Sequence, residues 1–125
     1  MHIERLLLWA DYLDQLNPDF WDFSNIVSHC GTVGCAIGHL PNVFPEHFRY
    51  DVEENDIATG DDFSWESYIN FFEMPIEDFN EIFDVCNKRH VYGAPLVTST
   101  MVADKIRQYV STGEVQYVVE ACEKD

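Results

Sequence analysis

Apolar residues recur at helical spacing in four separate stretches, and punctuating residues bound each one. Ile3, Leu6, Leu7, Ala10, Leu13 and Leu16 form the first stripe. An apolar residue every third or fourth position marks one buried helix face. Asn17-Pro18 closes this helix, because a residue before proline is pushed out of the α region. Trp65, Tyr68, Ile69 and Phe72 form the second stripe, with Ser64 placed to cap it. Met74-Pro75 opens the third, which carries Ile76, Phe79, Ile82, Phe83 and Cys86, since proline suits a first helical turn. The fourth holds Val102, Ala103, Ile106, Tyr109 and Val110, between a cap at Thr98 or Ser99 and a stop at Gly113.

The intervening chain is less regular. Asp19 to Ser24 is rich in aromatics and reads as a turn or short helix, with Ser24 able to cap a second short helix after it. Cys30 to Leu40 is built from small residues, with Thr32 as an N-cap, and Pro41 and Pro45 restrict any helix there. Residues 46–62 read as loop, and Gly93 and Pro95 mark another. Val115, Val118, Val119 and Cys122 share a helical face, although their β-branched content makes strand the competing assignment. The expected fold is mainly all-α: residues 1–125 as a single domain, a bundle of about five or six short helices.

Hydrophobic residues make up 46% of the 125, enough for a real core without a metal or disulfide. Against 7 basic residues stand 23 acidic ones, for a formal charge of −16. Phosphate contacts need Lys and Arg, so direct nucleic-acid binding is not expected. A protein with a basic surface is the better electrostatic match. No signal peptide or membrane span is visible, and a cytoplasmic location with reduced thiols is expected.

Cys30 and Cys35 are the densest candidate for chemistry. His29 precedes the first, and His39 lies four residues after the second, on the same face if the segment is helical. Cys30, Cys35, His39 and His47 together offer thiolate and imidazole ligands for zinc. That alternative makes the protein a small metal- or ligand-binding protein or an enzyme. A nucleophilic cysteine needs an electropositive setting, and the surrounding charge is negative. The competing reading is packing: Gly34 and Gly38 allow close helix approach, and cysteine serves as a small buried hydrophobe. The run GTVGCAIG lacks the lysine of a phosphate loop. Asp51, Glu53, Asn55 and Asp62 occupy positions one, three, five and twelve of a calcium-type window, but Asp56 stands where glycine is required. A nucleotide-capturing role would fall to Arg49, Lys88 and Arg89.

Charge distribution points elsewhere. Residues 46–84 contain 13 acidic residues and one basic residue, Arg49, and so supply −12 of the −16. Asp51, Glu53, Glu54, Asp56, Asp61 and Asp62 lie in the first part of this stretch. Glu66, Glu77, Asp78 and Glu81 continue it on predicted helices. These ten are the candidate partner-binding residues. Carboxylates so placed can stand where phosphates would lie in another protein's nucleic-acid groove.

Phe20 to Phe23, then Cys30-Gly31-Thr32, Cys35 and Gly38, then Phe71-Phe72, the Ile76 to Phe83 helix, Tyr92-Gly93 and Val102-Ala103 with Ile106 form an ordered series. This series resembles a family of small bacterial and phage proteins with a Cys-Gly-Thr-x-x-Cys-x-x-Gly motif and no established activity. The resemblance implies a compact helical fold and a phage or mobile-element origin, and it transfers no catalytic residue. With the acidity, it suggests a non-enzymatic, phage-type inhibitor that mimics nucleic acid.

Overall fold

The computed structural model describes residues 1–21, 35–83 and 97–115. Within them the chain is mainly helical, with one small antiparallel hairpin. Helix α1 spans Ile3–Asp14 and α2 is the single turn Leu40–Val43. Strands β1 (Arg49–Asp51) and β2 (Asp56–Ala58) come next, then α3 (Trp65–Phe72), α4 (Ile76–Phe83) and α5 (Ser99–Thr112). Short 3-10 turns cover Pro18–Phe20 and Ile37–His39.

The start of α3 and both ends of α5 fall where the sequence places them, whereas α1 stops at Asp14, short of Asn17-Pro18. The Thr98 side chain accepts a bond from the Met101 amide at the start of α5, and Gly113 ends that helix at φ +78°. Ser64 occupies the N-cap of α3 without a side-chain cap bond. Glu73 closes α3 in the left-handed region at φ +56°, a conformation that glycine or asparagine adopts more readily.

Two expectations need correction. Of the expected α1 stripe, Leu6, Ala10 and Leu13 are buried, whereas Ile3 and Leu7 are exposed and Trp9, which the stripe left out, takes the inward place. The run from Leu6 to Ala10 is apolar throughout, so two overlapping stripes exist, and the helix turns its largest ring inward. Residues 46–62 are also more than loop. Arg49 pairs with Ala58, Tyr50 with Ile57 and Asp51 with Asp56. Asn55, at φ +50°, supplies the left-handed turn, and its Oδ1 accepts a bond from the Tyr50 hydroxyl at 2.6 Å.

Trp9 sits at the centre of the core. Its ring stacks on Phe72 and Phe83, each at 4.6 Å, and its indole Nε1 donates to the Ala36 carbonyl at 3.0 Å. Phe79 joins Phe83 to Trp65 and Tyr68. Helix α5 packs along α1 through Val102, Ala103 and Ile106. Arg5 lies over the Phe71 ring at 4.1 Å and donates to the Phe71 carbonyl, tying α1 to the end of α3. Ser24, Cys30, Thr32, Cys86, Lys88, Arg89, Gly93, Pro95 and the tail beyond Val115 lie outside the described residues.

Candidate functional site

The acidic stretch begins on a hairpin built around one arginine. Arg49 donates to Asp51 at 2.8 Å and to the Gly60 carbonyl at 3.1 Å, and its guanidinium lies 3.8 Å from Asp61. It therefore ties β1 to the loop after β2. The Asp51 carboxylate also accepts the Glu54 amide at 3.0 Å, so it organises the turn as well as charging it. Asp62 accepts the Ser64 amide at 2.8 Å, which leads the chain into α3. These bonds hold both carboxyls below the usual carboxylate range: for Asp51 mainly the Glu54 amide and then Arg49, for Asp62 mainly Ser64. Glu53, Glu54, Asp61 and Asp62 are exposed, with Glu66 exposed in the first turn of α3.

The remaining predicted acids are anchored elsewhere. Glu77 and Asp78 lie in the first turn of α4, where the positive end of the helix dipole favours them. Asp78 accepts the Tyr109 hydroxyl at 2.7 Å and so joins α4 to α5. Glu81 is half-buried one turn on, and Asp56 is half-buried on β2. Of the ten, Asp51, Asp62 and Asp78 have structural duties that the sequence does not reveal.

Each described arginine is committed to the protein itself. Arg5 serves Phe71, Arg49 serves the hairpin, and Arg107 bridges Asp11, Asp14 and Asp104. Lys105 is buried on α5, and desolvation lowers its proton affinity. The acidic field is thus offset by few exposed cations among the described residues, and Arg49 is not poised for a nucleotide.

Cys35 and His39 are buried. The His39 Nε2 lies 2.7 Å from the Phe20 carbonyl, and its Nδ1 lies 3.3 Å from both the Tyr12 hydroxyl and the Asn42 amide nitrogen. Both ring nitrogens are thereby spent on joining α1, α2 and the Pro18–Phe20 turn. His47 instead packs on Phe71 at 4.9 Å. Among the described residues no group of three or more His, Cys, Asp or Glu side chains is placed to hold a metal ion. The fourth zinc candidate, Cys30, lies outside them, and the Asp51 to Asp62 window is a hairpin with its Asp51 and Asn55 oxygens engaged.

Tyr68 stands between the hairpin and the core. Its hydroxyl donates to the Ile57 carbonyl at 2.5 Å. Burial, helped by the negative charge of Asp56 and Asp62, pushes the phenol far above its ordinary value. Tyr109 is raised in the same way by burial and by Asp78. In the unfolded chain a phenol ionises near pH 10. Above that pH the folded state binds more protons, so stability falls as pH rises. Lys105 acts in the opposite sense, but only below its unfolded value of about 10.5. From about pH 10.5 to 12, Tyr68→Phe should flatten the decline by about 1.4 kcal/mol per pH unit. Urea unfolding across this range reads the slope, and equal slopes for the two proteins would remove the assignment.

No helix among the described residues is long and apolar enough to cross a membrane. Compared with family models, curated proteins and solved structures, the chain finds no match in any of the three.

Proposed function

We propose that the chain folds as one helical domain and acts as a non-enzymatic interaction module, whose acidic hairpin and following loop meet the basic surface of another protein. One observation carries this reading: residues 46–84 hold −12 of the −16 charge. Glu53, Glu54, Asp61, Asp62 and Glu66 are exposed within that stretch. The arginine nearest to them braces the hairpin and leaves most of the negative charge unbalanced. In its finer form, the module occupies a nucleic-acid groove and inhibits its owner, as the resemblance to phage proteins suggests.

Affinity capture on the immobilised protein, followed by elution with rising salt, tests the broad form. The screening length falls from about 10 Å at 0.1 M to about 3 Å at 1 M, so a charge-driven partner elutes early. Adding duplex DNA to the purified complex tests the finer form. Displacement by DNA supports mimicry, and a complex indifferent to both salt and DNA overturns the reading.

A further inference from the structure

We draw no further inference here: the strongest candidate, the open pocket at the C-terminal end of α5 lined by Asp78, Gly113, Glu114 and Val115, rests on an acidic pair beside a helix end, and no second observation among the described residues shows what would fill it.

Discussion

Trp9→Ala should lower the folding free energy by about 4 kcal/mol, within the range for emptying a large aromatic from a core. Small domains are stable by only about 5–15 kcal/mol, so this single change removes a large share. The size comes from the ring's position. Trp9 is fully buried and stacks against Phe72 and Phe83, and so links α1 with both α3 and α4. Its truncation also leaves the Ala36 carbonyl without its indole donor. Trp9→Phe separates the two effects: stacking is largely kept, the donor is lost, and the expected cost is about 1–3 kcal/mol. Urea unfolding of the three proteins measures both differences. A loss below about 2 kcal/mol for the alanine variant would mean that the surrounding rings collapse into the space, and the central role given to Trp9 would fall.

Reversing charge on the hairpin should weaken partner binding by about 100-fold or more, with little loss of fold. Glu53→Lys and Glu54→Lys are the cleaner substitutions, because these side chains are exposed at the turn while the Glu54 amide keeps its bond to Asp51. Adding Asp61→Lys and Asp62→Lys strengthens the effect but disturbs the fold locally. Lysine at 61 faces Arg49, and lysine at 62 gives up the bond to the Ser64 amide. The double variant therefore reads binding, and the quadruple variant reads binding together with hairpin stability. Isothermal titration with the captured partner supplies the affinity, and circular dichroism monitors the fold. Wild-type affinity in the quadruple variant would end the acidic-surface proposal.

Helices α3, α4 and α5 were legible because each pairs a clear apolar stripe with a local stop or start signal. Phe72, Phe79 and Ile106 are buried as their spacing requires, and Gly113 ends α5. Helix α1 was legible as a helix, and Leu6, Ala10 and Leu13 of its stripe are buried, but the inward place of Trp9 was not, since Leu6 to Ala10 is apolar at every position and packing against Phe72 and Phe83 draws the ring inward. The hairpin was hidden for a different reason. Its two strands have three residues each, and Glu53, Glu54 and Asp56 obscure the alternation that would have marked Tyr50 and Ile57 as strand residues. The charge excess was plain in the sequence, but the allocation of its carboxylates was not. Asp51 braces a turn, Asp62 leads into a helix and Asp78 clasps α5 through Tyr109, and such duties depend on distant backbone and side chains. His39 illustrates the same limit. Its placement near Cys35 suggested a metal ligand, whereas the partners that claim its ring come from Tyr12, Phe20 and Asn42.

The hairpin has unequal halves. Strand β2 is fastened to the core through buried Ile57 and Ala58 and through the Tyr68 hydroxyl, while the turn from Val52 to Asn55 projects into water. A ribbon of two short strands has little stability of its own. Its turn is closed by local bonds, from the Glu54 amide to Asp51 and from the Tyr50 hydroxyl to Asn55, so opening it would break few contacts and leave Tyr68 and Ile57 in place. The carboxylates at its tip thus ride on a compliant arm with a rigid root, able to adjust to cations of different spacing without disturbing the hydrophobic interior.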